Sequence, residues 1–359
     1  MQKGYPALIV DGKGDVGEDS LLDIVSKLNT KDNGYVINLN RPVLSNKYNP
    51  FKNANPTMAK DMLINMTEWS EEHYKLNTER YLQRLLTMLA IAEIPFSFGR
   101  ILSHMPPDKF TELSAILLKS GRITKEEHIL NIDIIKNSGQ ISENATARFS
   151  AIYESEIGQI FSDDGIDIYT AMEEKTVIFF ILNPLIYPEL SPLMGRLILI
   201  DSKVAVSKLF TAKERTFFIF DEINVYASPT LLDLINKSRS AGVTCILATQ
   251  SLSDLDFAVG EAFKEQVIEN CNNYIVLRQN SSVNAEHWAN ILGTRATLEV
   301  THQLQQKGLN TSETGFGSAK RVREFLYHPD DIKELKTGKG IFLSRDTGYH
   351  SRININKPY

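Results

Sequence analysis

The polar residues with the clearest chemical potential in this 359-residue sequence come directly after an apolar run. Residues 216–220 are Thr-Phe-Phe-Ile-Phe, and Asp221 and Glu222 follow them. An Asp at the carboxyl end of a buried parallel strand points into the crevice where ligands bind, and there it can hold Mg²⁺ through bound water. An adjacent Glu can orient or deprotonate the water that attacks a γ-phosphate. The pair indicates half of an ATP site, although many strands end in acidic residues without such a role.

A polar amide follows the next apolar run along the chain. Residues 244–248 predict a strand, and Gln250 lies two positions beyond it. An amide at the tip of a neighbouring strand can sense the γ-phosphate or position the attacking water. The alternative is that Gln250 only caps the helix that follows.

A basic segment lies between these two strands. Residues 237–242 are Lys-Ser-Arg-Ser-Ala-Gly, at the end of a predicted helix. Arg239 can complement the helix dipole there, and the local chemistry favours that interpretation. It can also act as a finger that reaches the nucleotide of a neighbouring subunit and stabilises charge in the transition state.

The phosphate-binding loop that such a site requires is not in the sequence. No stretch matches G-x-x-x-x-G-K-[ST]. The nearest string is Asp-Gly-Lys-Gly-Asp at residues 11–15, but there Gly14 follows Lys13 and the spacing is wrong. The string predicts a turn at the tip of a buried strand, residues 5–10.

The composition is that of an ordinary globular protein, with 42% hydrophobic and 23% charged residues. The net charge of -5 gives no overall attraction to nucleic acid or anionic lipid, so such contacts would need a local basic surface. The two cysteines, Cys245 and Cys271, argue against a disulfide-stapled secreted protein. The sequence contains no signal peptide and no apolar run of about 18 residues, which predicts a soluble chain. The histidines and cysteines lack metal-ligand spacing, and we predict no structural metal site.

The predicted elements alternate between strand and helix at both ends of the chain and are helical in the middle. Strands are predicted at residues 35–39, 176–182, 274–277 and 340–344, the last as an edge strand, with helices between them. Residues 55–161 carry helical patterns interrupted by prolines and by a polar loop near residues 137–144. We therefore expect an α/β nucleotide-binding domain from residues 1–54 and 162–359, with an all-α domain of residues 55–161 inserted in it.

The ordered set of motifs resembles the type IV coupling proteins of the TraD/TraG kind, the hexameric DNA-pumping ATPases of conjugation and type IV secretion. In that family a D-x-K-G-[DE] turn follows the strand after the phosphate-binding loop and its helix, and residues 11–15 match it. Residues 48–51, Tyr-Asn-Pro-Phe, resemble a short turn before the family's helical insert. The Asp-Glu strand, residues 239–242 and residues 248–251 resemble the Walker B, R-x-x-G and Q-S segments in the family's order.

The resemblance implies a RecA-like, mainly parallel sheet and a set of residue roles. Asp221 would hold Mg²⁺, Glu222 would activate water, Gln250 would act as sensor and Arg239 as trans-acting finger. The Asp11, Lys13 and Gly14 turn would lie beside the nucleotide, and the cofactors would be ATP and Mg²⁺.

The resemblance also implies partners and a location. The complete protein would be a homo-hexamer at the cytoplasmic face of the bacterial inner membrane. It would recruit single-stranded DNA with its relaxase, other secretion substrates or adaptors, and the components of the type IV secretion channel.

This sequence departs from the family in two respects, since the phosphate-binding loop and the amino-terminal transmembrane helices are missing. Both would precede residue 1, so we expect the chain to begin just after the loop's helix. Without the phosphate cradle the acidic pair would repel ATP, and we expect this chain alone to bind and hydrolyse nucleotide poorly.

Two alternatives to the coupling-protein motor stay open. One is a non-catalytic adaptor or assembly protein that kept the motor fold. The other is a translocase of the FtsK or HerA type acting on double-stranded DNA, which the large helical insert disfavours. Residues 320–323, Lys-Arg-Val-Arg, form a basic cluster that could contact a phosphate backbone, although a solvated surface is the simpler interpretation.

Overall fold

The computed structural model describes residues 4–28, 34–211, 215–307 and 310–356. The chain divides into two compact units, Met1–Gln250 with Asp254–Lys264, and Ser251–Ser253 with Glu265–Tyr359.

The first unit contains a sheet and the helices that connect its strands. In chain order its elements are β1 (Ala7–Asp11), α1 (Leu21–Leu28), β2 (Gly34–Asn38), α2 (Pro56–Asn65), α3 (Glu72–Ile91), α4 (Phe98–His104), α5 (Pro107–Lys119), α6 (Lys125–Tyr153), α7 (Ile168–Glu173), β3 (Val177–Ile181), α8 (Leu190–Leu209), β4 (Thr216–Asp221), α9 (Pro229–Ser238) and β5 (Val243–Leu247). The helices α10 (Leu252–Val259) and α11 (Glu261–Asn270) follow β5 in the chain.

All five strands of this sheet are parallel, in the order β2-β3-β1-β4-β5. Every residue of β1 and β3 is buried, which explains why their sequences, Ala-Leu-Ile-Val-Asp and Val-Ile-Phe-Phe-Ile, are almost continuously apolar. The predicted α/β class with a mainly parallel sheet is confirmed. Because β1 is central, the turn after it lies in the middle of the carboxyl edge, where parallel sheets bind ligands.

Between α2 and α6 the described chain is helical and contains no strand. The predicted polar loop near residues 137–144 is wrong, because α6 continues through it from Lys125 to Tyr153. The buried side chains of Ile134 and Ile135 before this stretch, and of Ala145 and Phe149 after it, hold both halves of the helix in the core. Tertiary packing thus overrides the weak helix propensity of the polar residues between them. The proposal that residues 55–161 form a domain of their own stays a prediction.

The chain enters and leaves the helical region at one place. The backbone of Tyr48 lies beside both Phe161 and Ile166 in parallel bridges. Tyr48 N donates to Ile160 O at 2.9 Å, and Ser162 N donates to Tyr48 O at 3.2 Å. The side chain of Tyr48 is fully buried, and its hydroxyl donates to Asp201 Oδ2 in α8 at 2.8 Å.

The second unit has an antiparallel sheet and a long hairpin. Its further elements are β6 (Asn273–Val276), α12 (Ser282–Leu292), β7 (Thr294–Lys307), β8 (Asn310–Phe325), α13 (Pro329–Lys333), β9 (Lys339–Ser344) and β10 (His350–Asn354). The sheet order is β10-β9-β6, so the strand predicted at the edge, residues 340–344, is central. That prediction was wrong because β10, whose sequence His-Ser-Arg-Ile-Asn is mostly polar and gave no strand signal, pairs with the other side of β9.

None of the helices in the described ranges is both long enough and apolar enough to cross a bilayer.

Candidate functional site

Two acidic side chains stand side by side at the carboxyl edge of the parallel sheet. Asp11 ends β1 and Asp221 ends β4, and the register of the two strands pairs them directly. Asp11 is 2% exposed, and Asp221 is half-buried. The structure therefore joins the two segments that the sequence analysis singled out separately.

The turn after β1 is shaped by the carboxylate of Asp11 itself. Its Oδ1 accepts hydrogen bonds from Lys13 N at 2.8 Å and from Gly14 N at 3.1 Å. Gly14 has a φ of +78°, and a Cβ at this position would come within 2.1 Å of Leu182 O. The turn thus requires glycine for both conformation and space.

The turn packs directly on the end of β4. Gly12 N donates to Asp221 O at 3.2 Å. A Cβ on Gly12 would lie 2.8 Å from both Asp221 O and the Cβ of Glu222, so only glycine allows this approach. The exposed Lys13 ammonium lies 3.7 Å from the Asp15 carboxylate.

Glu222 is held in an unusual position beside Gln250. Its backbone is in the left-handed region, with φ 49° and ψ 52°, which costs a residue with a side chain roughly 1–2 kcal/mol. Gln250 Nε2 donates to Glu222 Oε1 at 2.5 Å across the tips of β4 and β5. The predicted water-activating residue and the predicted sensor are therefore in contact, and the left-handed turn aims Glu222 along the sheet edge.

Burial raises the pKa of both strand-end acids. For Asp11 the loss of water contact raises the pKa, and the hydrogen bonds from Lys13 and Gly14 oppose that shift. For Asp221 burial again raises the pKa, and the nearby charge of Asp11 raises it further. Two adjacent carboxylates that resist ionisation would be stabilised by a cation between them and solvent.

The carboxylates at this edge of the sheet fit a Mg²⁺ ion that is bound by few protein ligands, as in phosphate-transfer sites. Within the described ranges no group of three or more His, Cys, Asp or Glu side chains could ligate a metal ion. Mg²⁺ does not require such a cage, because it keeps much of its water and takes one or two carboxylates together with phosphate oxygens. Asp221 can supply the carboxylate, while Oδ1 of Asp11 is already engaged by the turn.

Arg239 lies at the opposite end of the sheet from Asp221 and Glu222 of the same chain. It begins a 3-10 turn that precedes β5, beside the amino-terminal end of the sheet. Thr216 N, at the start of β4, donates to Gly242 O at the end of that turn. The six residues of β4 separate this end from Asp221 by roughly 17 Å at about 3.3 Å per residue. Arg239 is exposed, so its side chain is accessible to another molecule.

Two asparagines that the sequence patterns did not single out tie the strand-end turns together. Asn40 follows β2 and donates through Nδ2 to Gly14 O at 3.2 Å. Asn183 follows β3, and its Nδ2 donates to Asn40 Oδ1. The available signal was the same as for Gln250, a polar amide one or two positions after an apolar run.

Tyr226 was also missed. It is 1% exposed, and its hydroxyl donates to Asp221 O at 2.9 Å, which supports the end of β4 from below. Burial raises the pKa of this phenol well above its usual value, and the nearby charge of Asp221 adds to the shift. Nothing in its sequence neighbourhood distinguished it from a core aromatic residue.

Residues 215–337 match the family described as the TraM recognition site of TraD and TraG. An uncharacterized protein of Mycoplasma pneumoniae (strain ATCC 29342 / M129 / Subtype 1) is 32% identical over 105 residues, which cover 29% of this chain and 70% of that protein.

Several solved structures share the fold. The bacterial conjugative coupling protein TrwBdeltaN70, in an unbound monoclinic form, superposes with a TM-score of 0.68 at 15% identity, covering 99% of this chain and 79% of TrwB. The structure of TrwB in complex with ADP and Mg²⁺ superposes with a TM-score of 0.60 at 14% identity, covering 100% of this chain and 86% of that chain. VirB4 of Thermoanaerobacter pseudethanolicus superposes with a TM-score of 0.55 at 14% identity, covering 99% of this chain and 82% of that chain.

The parallel sheet with its acidic carboxyl edge is the RecA-like nucleotide-binding fold that TrwB has. The TraD/TraG match covers residues 215–337, and the fold of the whole chain is the one that TrwB and VirB4 share.

Proposed function

We propose that this chain is the motor part of a conjugation or type IV secretion coupling protein, which uses ATP hydrolysis to recruit and translocate single-stranded DNA or a nucleoprotein substrate. The observation that carries the proposal is the contact between Glu222 and Gln250 beside the Asp11–Asp221 pair. It brings a base for water, an amide that can sense phosphate and a carboxylate for Mg²⁺ to one edge of the sheet.

The roles of the residues follow from their positions. Asp221 would hold Mg²⁺ through its water, and when bound the ion neutralises charge on the phosphates. Glu222 takes the proton of the attacking water, and Gln250 keeps the Glu222 carboxylate in place through its amide. Asp11 fixes the turn in which Lys13 and Gly14 face the nucleotide.

Arg239 acts in the neighbouring subunit. The backbone of Arg239 lies by the start of β4, and Asp221 ends that strand roughly 17 Å away, so the exposed guanidinium serves a site that another copy supplies. This proposal includes a homo-hexameric ring in the complete protein, at the cytoplasmic face of the inner membrane, with a relaxase–DNA complex, adaptors and the secretion channel as partners. The TraM recognition match over residues 215–337 supports partners of the relaxosome kind.

The chain by itself should bind nucleotide weakly. Its sequence has no G-x-x-x-x-G-K-[ST] loop, and backbone N–H groups of such a loop make most of the contacts to phosphate. The carboxylates at the sheet edge repel the triphosphate in the absence of that cradle. Calorimetry with ATP and Mg²⁺ tests this statement, and micromolar affinity would contradict it.

The motor role is tested on a polypeptide in which this chain is joined to a segment that supplies the loop. We expect DNA-stimulated ATP hydrolysis, and Glu222→Gln should slow it by about 10²–10⁴-fold, the usual contribution of a general base. The matched control is Glu143→Gln in α6, an exposed glutamate remote from the site in sequence. Equal rates for the Glu222→Gln and Glu143→Gln variants would exclude the proposed role of Glu222.

The absence of the loop from the sequence is also what a non-catalytic adaptor would show. In that case the fold would serve as a docking surface. The reading frame upstream of the codon for Met1 separates the two: an in-frame loop motif supports the motor, and a start at Met1 with no upstream frame supports the adaptor.

A further inference from the structure

The hairpin β7–β8 presents two faces with opposite chemistry. Residues directly opposite each other in an antiparallel pair lie on the same face of the ribbon. One face carries the pairs Arg295 with Glu324 and Glu299 with Lys320, so each cation there has an acid across the strand. These pairs lie on either side of the half-buried residues Thr297 and Val322.

The other face, which we call the arginine face, has cations without acids. It consists of the cross-strand pairs Ala296–Arg323, Leu298–Arg321 and Val300–Ala319. All six residues are exposed, and Leu298 and Val300 are 62% and 54% exposed. The arginine face thus holds two guanidinium groups and two large aliphatic side chains in contact with solvent.

We propose that the arginine face binds the phosphodiester backbone of nucleic acid, with Arg321 and Arg323 on phosphates and Leu298 and Val300 against sugars and bases. The choice of nucleic acid as the ligand rests on the proposed function, and the inference adds where on the chain the translocated substrate is contacted.

Charge favours this occupant. The whole chain carries a net charge of -5, so an anionic polymer is attracted only where local cations outnumber acids. Across the pairs of the arginine face the register places Leu298 opposite Arg321 and Ala296 opposite Arg323. The guanidinium groups are therefore available to an external anion and can bind phosphate oxygens in bidentate fashion.

The geometry is consistent with a nucleic-acid backbone. Arg321 and Arg323 are two residues apart on one strand, and their Cα atoms are about 6.6 Å apart at about 3.3 Å per residue. That spacing is about twice the 3.4 Å rise per nucleotide of a stacked strand. Leu298 and Val300 offer apolar contact to the sugars and base faces of a single strand, and a two-stranded ribbon also fits the major groove of a duplex.

The test measures the binding of fluorescein-labelled 30-nucleotide single strands and 30-base-pair duplexes by fluorescence anisotropy. The full chain is compared with the double variant Arg321→Ala/Arg323→Ala. The matched control is Arg295→Ala/Lys320→Ala, which removes the same charge from the opposite face of the same hairpin. Urea unfolding midpoints of the three proteins check that the fold is retained.

We expect the Arg321→Ala/Arg323→Ala variant to bind at least about tenfold more weakly in about 50 mM salt. Its slope of log affinity against log salt should fall by about 1.4–1.8, because two phosphate contacts are lost at about 0.7–0.9 each. The control should change affinity less than about threefold. Leu298→Ser/Val300→Ser should weaken binding while leaving the salt slope unchanged.

Three results would overturn the proposal. The first is an equal loss of affinity in the Arg321→Ala/Arg323→Ala variant and in the Arg295→Ala/Lys320→Ala control, and the second is no binding of either oligonucleotide by the wild-type chain. The third is competition by polyglutamate as strong as that by unlabelled oligonucleotide. The last would identify an acidic protein as the partner. Tighter binding of the duplex than of the single strand would support the arginine face but count against single-stranded DNA as the substrate in the proposed function.

Discussion

Asp11 and Asp221 occupy the same register position on neighbouring parallel strands, so a buried and a half-buried carboxylate stand side by side at the edge of the sheet. Burial raises the pKa of both, and the charge of Asp11 adds to the shift at Asp221. Groups whose pKa is higher in the folded than in the unfolded state bind protons more tightly in the folded state. Their contribution to the free energy of unfolding therefore falls as pH rises from the ordinary Asp range through the raised values.

Asp11→Asn removes one of the two charges, so it should reduce the loss of stability that comes from ionising these carboxyls. The new amide oxygen can still accept hydrogen bonds from Lys13 N and Gly14 N. We expect the pKa of Asp221 to fall in the variant, as measured by NMR titration of its carboxyl carbon. The free energy of unfolding should decrease less between pH 4 and pH 7 than in the wild type. Asp15→Asn is the control with the same charge change, because the hydrogen bond from Gly17 lowers the pKa of Asp15. A larger decrease in the Asp11→Asn variant than in the wild type would contradict the prediction.

Gly14→Ala should lower the free energy of unfolding more than Gly121→Ala. Both glycines have positive φ, at 78° and 71°, so both substitutions incur a backbone cost of roughly 1–2 kcal/mol. Only at Gly14 would the new methyl group meet backbone, since nothing lies within 4 Å of a Cβ at Gly121. Overpacking adds about 1–3 kcal/mol at Gly14. Urea denaturation of the two variants measures the difference, and equal losses would show that the turn can move aside.

Tyr48→Phe should lower the free energy of unfolding by about 1–3 kcal/mol, because it removes a donor from a buried carboxylate. Asp201 is completely buried; its Oδ2 accepts from Tyr48 and from Ile168 N at 3.2 Å. Tyr169→Phe is the control, since that hydroxyl donates to the exposed Glu173 and its loss should cost less than about 0.5 kcal/mol. Both values come from denaturant titration at neutral pH, and similar losses would mean that water replaces the Tyr48 hydroxyl.

Mixing two inactive variants should restore part of the ATP hydrolysis if Arg239 serves the neighbouring site. In a polypeptide that also supplies the phosphate-binding loop, Arg239→Ala should slow hydrolysis by about 10³–10⁵-fold, as loss of an arginine finger does. Some interfaces of a mixed ring of Arg239→Ala and Glu222→Gln subunits carry both wild-type residues. Steady-state hydrolysis of the mixture should exceed the sum of the rates that the two variants contribute separately at the same concentrations. Hydrolysis that stays at the sum of the two would place both residues in one subunit's site.

Much of the candidate site was predictable because each of its residues follows an apolar run. Asp221, Glu222 and Gln250 are polar residues at the ends of strands, and parallel strands bring such ends to one edge. Strand order could not be predicted in this way. Local sequence does not encode that β3, which comes after the whole helical region, lies between β2 and β1.

Other features were hidden because local patterns do not record long-range pairing. Residues 295–300 of β7 alternate between polar and apolar types, but this alternation does not record that β7 pairs with β8 over most of its length. Glu222 was expected at the site, but its left-handed backbone packs against Gly12 and Ala248, which follow the ends of β1 and β5. Ile223 N donates to Ala248 O at 3.1 Å and fixes this turn.

The meeting of Tyr48 with Phe161 and Ile166 has a consequence for how this protein can change over evolution. Because the two ends of the helical region are already side by side, joining them directly would close only a short loop and cost little chain entropy. Helices between these ends can be lengthened, shortened or exchanged as a cassette without altering the register of β1 with β4. The length and composition of the helical region can thus diverge while the sheet edge that carries Asp11 and Asp221 stays the same.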